Sequence, residues 1–424
     1  MNNICKSAKF LLLLITLGTC FLLRGENISA DPLLTQARKG DIPSQLKLAD
    51  ELMFGRNNRR PAPTLAVYWY RQAALQNSAA GQYNLAMCYL QGWGGEKRPA
   101  AAFRYFEKAM YNGVAKAAVY YARMLSEGVP AASDPEGEFP AVAADNGKAL
   151  QILRKTAKYD NDAELLLAQM LFRRVDIHAV ELLNLLQTHA KKANASPEML
   201  LIYAALLRSA TGKYCDPAGA VKLLERAAAE NYPEAMAQLA EMLHEGFGTP
   251  VDHQRAGKLT DTALRAGSPR AMVNRGMEYM TGIRVPHDPH RAFALFTQAA
   301  EKKYPPAWRQ LGFCHAAGIG TPPDNAKAEE CYLQAAQLGD APAMFKLGEI
   351  YRLGGQNLRA ALFWYLQGAE HGEVNAMREA GSILFSGNRS SSERETGKKW
   401  LQRAADAGDH AAAAKLGISV PALF

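Results

Sequence analysis

Hydrophobic and polar positions along this chain recur with one long period. A small residue, usually preceded by Leu, stands at Ala49, Ala86, Ala122, Ala168, Ala204, Ala240, Gly276, Gly312, Gly348, Gly381 and Gly417, and every step from Ala168 to Gly348 is 36 residues. Five residues before an anchor comes Ala117, Ala163, Ala235, Ala271, Ala307, Ala343, Ala376 or Ala412; six after it comes Gly55, Gly92, Gly128, Gly246, Gly282, Gly318, Gly354 or Gly387. Apolar residues sit at most positions one before, two after and three after the anchors, the spacing of a buried helical stripe. Pro197, Pro233, Pro269 and Pro305 suit the first helical position, where a missing N–H costs nothing, and the later glycine suits a helix end.

A second helix follows each first one. It carries Ala-x-x-aromatic-x-x-x-Ala-Ala, as at Ala66/Trp69/Ala73/Ala74 and Ala361/Trp364/Ala369. Asp145, Asp176, Asp216, Asp252, Asp288, Asp324 and Asn357 precede it at a fixed offset and read as N-caps, whose side-chain oxygens accept a free helix N–H. Their recurrence at one helix start favours capping over a catalytic or metal-binding carboxylate. A two-helix hairpin of this kind buries its second face only by stacking on its neighbours. The pattern therefore predicts an all-α chain, a right-handed α-solenoid of about ten antiparallel helix pairs over residues 31–417, with a last helix from His410 and a tail at 418–424.

Leu311-Gly312, Gly318-Ile319-Gly320-Thr321, Asp324 with Lys327-Ala328, and Ala335-Ala336 with Gly339 resemble the Sel1-like repeat, a relative of the tetratricopeptide repeat. The likeness is strongest over 233–408 and 79–128, whereas residues 162–196 lack the glycines and read as a degenerate repeat. A step of 46 residues between Ala122 and Ala168 marks an insertion within 128–145, acidic and proline-rich, which reads as a tolerated surface loop or a partner-contacting one. The resemblance implies a protein-interaction scaffold that holds a peptide or protein in a concave groove. Some secreted Sel1-like proteins carry a cysteine pair in nearly every repeat and are linked to β-lactam-binding or β-lactamase activity. This chain has at most one such pair, so that activity does not transfer.

Composition fits the repeat: 48% hydrophobic and 21% charged residues can bury a large core. Near the start, Lys6 and Lys9 precede an apolar run from Phe10 to Leu23, too short for the roughly 20 residues of a spanning helix. The layout is that of a secretory signal peptide over 1–30 with cleavage after Ala30, which predicts a periplasmic or secreted protein. An uncleaved anchor and lipidation at Cys20 are the alternatives, and membrane association is expected only with one of them. Losing Lys6, Lys9, Arg24 and Glu26 lowers the formal charge from +8 to +6. The basic residues are dispersed, so nucleic acid is not an expected partner.

No set of residues here combines nucleophile, acid and base, and no cofactor or metal site is expected. His287-Asp288-Pro289-His290 reads as loop histidines around a cap, and Gly92-Trp93-Gly94-Gly95 lacks the Lys-Ser/Thr of a phosphate loop. Cys88 and Cys314 fall on the buried stripe, while Cys331 replaces a second-helix aromatic and could bridge to Cys314. At 100° per residue, positions three before and one, four and five after the anchor share the arc opposite the stripe. They hold Tyr83, Met87, Leu90, Arg123, Met277, Met280, Arg309, Phe313, Phe345 and Arg352. Aromatics, Met and Arg are enriched in binding hot spots, so this arc is the expected partner site, unless these side chains pack between adjacent helices. An adaptor for cell-envelope polysaccharide or peptidoglycan machinery is the rival reading, and a β-lactam-binding hydrolase ranks below it.

Overall fold

The computed structural model describes residues 31–130, 140–173, 175–208, 214–354, 357–386 and 389–418 (for 175 and 176 the backbone alone). The expected signal segment, residues 131–139 of the insertion and residues 419–424 of the tail lie outside them. Ten helix pairs follow one another: α2 (Ile42–Phe54) with α3 (Pro63–Leu75), α4 (Ala79–Gln91) with α5 (Pro99–Tyr111), α6 (Ala115–Glu127) with α7 (Asn146–Thr156), α8 (Asn161–Arg173) with α9 (Val175–Ala190), α10 (Pro197–Arg208) with α11 (Pro217–Ala229), α12 (Pro233–Glu245) with α13 (His253–Arg265), α14 (Pro269–Thr281) with α15 (Pro289–Glu301), α16 (Pro305–Ala317) with α17 (Asn325–Gln337), α18 (Ala341–Gly354) with α19 (Leu358–Glu370), and α20 (Val374–Phe385) with α21 (Ser391–Asp406). Short helices α1 (Pro32–Arg38) and α22 (His410–Leu416) flank them.

The caps explain why each pair starts where it does. Asp145, Asp216, Asp252, Asp288, Asp324 and Asn357 each accept the N–H three residues on, at 2.8–3.0 Å. The N–H of each cap in turn donates to the carbonyl three residues past the anchor, as Asp216 does to Leu207, Asp252 to Leu243 and Asp324 to His315. That bond fixes the hairpin's register. The insertion keeps it: Val129 and Val142 exchange two 2.8 Å hydrogen bonds, which brings Asp145 N–H back to the Leu125 carbonyl at 2.8 Å. Thus the repeat keeps its register across the insertion.

Two glycines of the Gly-x-Gly turn have different tasks. Gly318 ends α16 in the left-handed conformation (φ 68°) and its N–H returns to the Cys314 carbonyl. Gly320 (φ 67°) lies so close to the previous pair that an added Cβ would sit 2.2 Å from the Pro289 carbonyl oxygen.

Three expectations need correction. Asp176 is the second residue of α9 rather than a residue before its start. Gly417 is no anchor: it is the exposed left-handed C-cap (φ 67°) of a seven-residue helix. Asp31-Pro32 opens an additional helix, because the Asp31 carboxylate accepts the Leu33 and Leu34 N–H groups at 3.0 and 3.3 Å and pairs with Arg59.

The chain divides into two compact units, up to Met170 and from Leu171 onward. In the first, Phe103, Phe106 and Tyr121 are fully buried, with the Phe103 and Tyr121 rings stacked 4.6 Å apart. In the second, the cores of successive pairs contain the residues five before the anchor, with Ala235, Ala271, Ala307, Ala343 and Ala376 all fully buried. The degenerate repeat remains helical. Its α9 runs 16 residues, and in place of a glycine turn the His189 Nε2 accepts the Ser196 N–H at 2.8 Å.

Candidate partner-binding surface

The arc opposite the buried stripe behaves differently in the two units. In the first it forms a cleft of about 210 Å³ across α4, α6 and α8, lined by Tyr83, Lys116, Val119, Tyr120, Arg123, Asp162, Leu165, Leu166 and Gln169. These residues stand six, three and two before or one after Ala86, Ala122 and Ala168, a helical stripe repeated on neighbouring helices. One wall is aromatic. Tyr120 stacks on Phe106 (centroids 5.0 Å apart, planes 9° apart), and Tyr83 meets both rings at 6.0–6.2 Å. Burial, then the neighbouring Tyr120 hydroxyl and the Asp162 carboxylate, push the Tyr83 phenol up, so it is neutral and a hydrogen-bond donor at physiological pH. Lys116 and Arg123 are exposed, and among the described residues neither makes an ion pair.

Within the second unit, several cations on the corresponding arc are tied to acids of a neighbouring repeat. Glu241 on α12 receives Arg208 of α10 at 3.5 Å, Arg270 of α14 at 3.3 Å and the Asn274 amide at 2.9 Å. Arg309 on α16 meets Asp340, the cap residue of α18, at 3.0 Å, and Arg378 on α20 meets Asp409, the cap of α22, at 2.7 Å. Successive first helices approach each other here, as α12 does α14 and α14 does α16.

The expected site residues therefore fall into groups. Tyr83 and Arg123 come together in the cleft. Phe313 is free on the surface at 43% exposure. Met277 and Met280 pack partly against the core of α14–α17. Phe345 lies between two core clusters with its ring 5.7 Å from that of Tyr365, and Arg352 Nε donates to the Tyr365 hydroxyl at 3.2 Å. Sequence reasoning missed Lys116, Tyr120, Asp162 and Gln169. The signal was present in the anchor register, but the insertion and the degenerate repeat obscured it.

Cys314 and Cys331, the candidate bridge, lie together. Both are buried free thiols in one apolar cluster, and burial pushes each up to about 11. His290 Nδ1 lies 3.1 Å from the Gly320 carbonyl, and His253 faces His244 with the Nδ1 atoms 3.2 Å apart. No helix of the described residues is long and apolar enough to cross a membrane.

Capped helix pairs in one register, buried on one another within each unit, define an α-solenoid repeat protein. The Sel1 repeat family matches residues 42–78, 79–114, 209–232, 233–268, 269–304, 306–340, 341–373 and 374–409, more than half of the chain, and the chain belongs to that family. The unmatched stretch from 115 to 208 contains the insertion and the degenerate repeat. Sel1 repeat proteins are in general protein–protein interaction scaffolds and typically non-catalytic. Similar solved structures include a protective antigen of uropathogenic Escherichia coli displaying an SLR fold, 21% identical over 92% of this chain and 83% of that one, with a TM-score of 0.49. Another is a Sel1 repeat protein from Oxalobacter formigenes, 28% identical over 57% of this chain and 99% of that one (TM-score 0.42). No curated protein matches the chain.

Proposed function

We propose that this is an exported, non-catalytic scaffold whose first-helix arc holds a peptide or a peptide-like segment of a protein partner. The cleft on α4, α6 and α8 carries the reading. Its volume of about 210 Å³ falls below the roughly 300–1,000 Å³ of small-molecule sites, which suits one or two anchoring side chains of a longer ligand. Aromatic, aliphatic and Arg side chains line it, the types that dominate interface energetics. Export rests on the signal-peptide layout of residues 1–30.

Affinity capture from the native envelope fraction, comparing the wild type with Tyr83→Ala/Arg123→Ala, tests the reading: a partner retained only by the wild type supports it, and equal recovery refutes it. The mass of the mature N-terminus decides export processing, with a start at Asp31 expected and a lipid on Cys20 excluding it.

A polysaccharide-binding role is favoured by one other feature. A more open depression of about 350 Å³ lies among Ala74, Leu75, Asn77, Gln82, Tyr105, Lys108, Tyr111 and Asn112. Tyr111 is 73% exposed there, beside amides fixed by 2.8–2.9 Å hydrogen bonds among Asn77, Gln82 and Asn112. Such an aromatic-and-amide surface suits a sugar ring. Pull-down on insoluble peptidoglycan, lost in Tyr111→Ala, would establish that reading instead.

A further inference from the structure

We infer that the cleft on α4, α6 and α8 selects an acidic partner segment, one that places a carboxylate between Lys116 and Arg123 and an apolar side chain against Tyr83 and Tyr120. This rests on the peptide-groove reading above and adds the chemistry of the ligand. The argument is a contrast within the molecule. Three arc cations of the second unit are spent on repeat-to-repeat contacts: Arg208 and Arg270 on Glu241, Arg309 on Asp340. Lys116 and Arg123 have no such partner among the described residues, although they lie two turns apart on one face of α6 and line the cleft.

The register explains why. Lys116 stands six before its anchor, as Arg270 does, but the position that gives Arg270 its Glu241 holds Met87 here. Arg123 stands one after its anchor, and the same position on the neighbouring first helices holds Met87 and Gln169, neither an acid. Where the second unit places Glu241 at this position, the cations beside it are neutralised. Asp162 is the single acid of the cleft, and it does not approach either cation within ion-pair distance, which leaves two positive charges against one negative. A neutral or basic segment would leave both cations unmatched beside a half-buried aromatic wall. An acidic one gains charge-assisted hydrogen bonds, and Arg123 can meet a carboxylate with two parallel N–H donors. Tyr83, held neutral, can add a further donor.

The test is selection of a phage-displayed library of random dodecapeptides on the full chain, with Lys116→Gln/Arg123→Gln as the comparison target. Enriched clones should carry Asp or Glu next to an apolar or aromatic residue. Synthesised with Gln in place of the acid, such a peptide should bind about tenfold or more weaker, the worth of a charge-assisted hydrogen bond, and binding should weaken with salt. Clones that are neutral or basic, yet lose binding in Tyr83→Ala, would overturn the acidic preference while leaving the groove intact. Clones that bind wild type, Lys116→Gln/Arg123→Gln and Tyr83→Ala equally, or no enrichment over the variant, would overturn both. Circular dichroism of each variant separates loss of binding from loss of fold.

Discussion

Replacing Gly348 by Ala should destabilise the protein, although the same change in an open helix stabilises it. A Cβ on Gly348 would lie 2.4 Å from both Cδ1 and Cε1 of Tyr365, more than 1 Å inside the roughly 3.5–4.0 Å of an ordinary carbon contact. The ring cannot easily retreat. Tyr365 is fully buried, Phe345 lies against it, and Arg352 holds its hydroxyl at 3.2 Å. Removing a mid-helix glycine gains about 1 kcal/mol in propensity, and overpacking a dense core costs about 1–3 kcal/mol. Because the ring is held at both ends, the upper half of that range applies, for a net loss of about 1–2 kcal/mol. Gly257→Ala is the control: it sits inside α13 with nothing within 4 Å of an added Cβ, and should gain about 0.5–1 kcal/mol. Urea midpoints of the two variants should therefore move in opposite directions. Long repeat arrays need not unfold in two states, so amide exchange over residues 341–370 should localise the loss. In a double-mutant cycle, Tyr365→Leu should recover at least half of it. If Gly348→Ala raised the midpoint as Gly257→Ala does, close helix approach would not be the reason for the small anchors.

Other outcomes follow from single contacts. Asp340, 8% exposed, accepts the Ala343 N–H at 2.8 Å and pairs with Arg309; Asp340→Ala should cost about 1–2 kcal/mol in urea unfolding, and Asp340→Asn, which keeps the cap, about half as much, so equal losses would refute the division. Burial, with Arg284 next, pushes the His244 imidazole below its ordinary 6.5. The unfolded chain then binds more protons just below that pH, so stability present above 6.5 is lost as pH falls through it, and His244→Gln should flatten this acidic limb of the melting temperature. At pH 8, Cys215, which is exposed, should react quickly with a thiol reagent, while Cys88, held up at about 12, and Cys314 and Cys331, at about 11, react only after denaturation. A non-reduced peptide map joining the Cys314 and Cys331 peptides, two hydrogens short in mass, would instead show that bridge.

The helix pairs were legible in the sequence because their marks are local and repeated. A cap such as Asp252 acts on the N–H three residues away, and the stripe through Leu239, Met242 and Leu243 obeys one helical period. Asp176 departs for the same reason: an Asp at the right offset reads as a cap, but α9 begins one residue before it and runs 16 residues in all. The fate of the arc was less legible, since it depends on which side chains of the next repeat come within reach. Arg309 and Phe345 occupy positions equivalent to Tyr83, three before an anchor, yet one is tied to Asp340 and the other packs beside Tyr365. Nothing within a single repeat distinguishes those outcomes.

Anchors and arc share the first helices, so one constrains the other. Small anchors let each first helix pack closely on its own second helix, as Gly276 does on Phe296 and Gly348 on Tyr365, which leaves the arc on its other side to meet the arcs of neighbouring repeats. Opposite charges in register then close into ion pairs, as at Arg208, Glu241 and Arg270. Such partly exposed pairs add little stability, about 0–1 kcal/mol each, and their larger effect is to neutralise the surface on which they lie. A binding groove in this fold therefore needs arc charges without partners in the next repeat. Placing an acid at position 169, which lines the cleft together with Arg123, should give that cation a partner in the next repeat. Gln169→Glu is thus the smallest change that would convert the candidate groove into ordinary repeat-to-repeat contact. Peptides selected on the wild type should lose affinity for it, and undiminished binding would show that the unpaired cations do not define the groove.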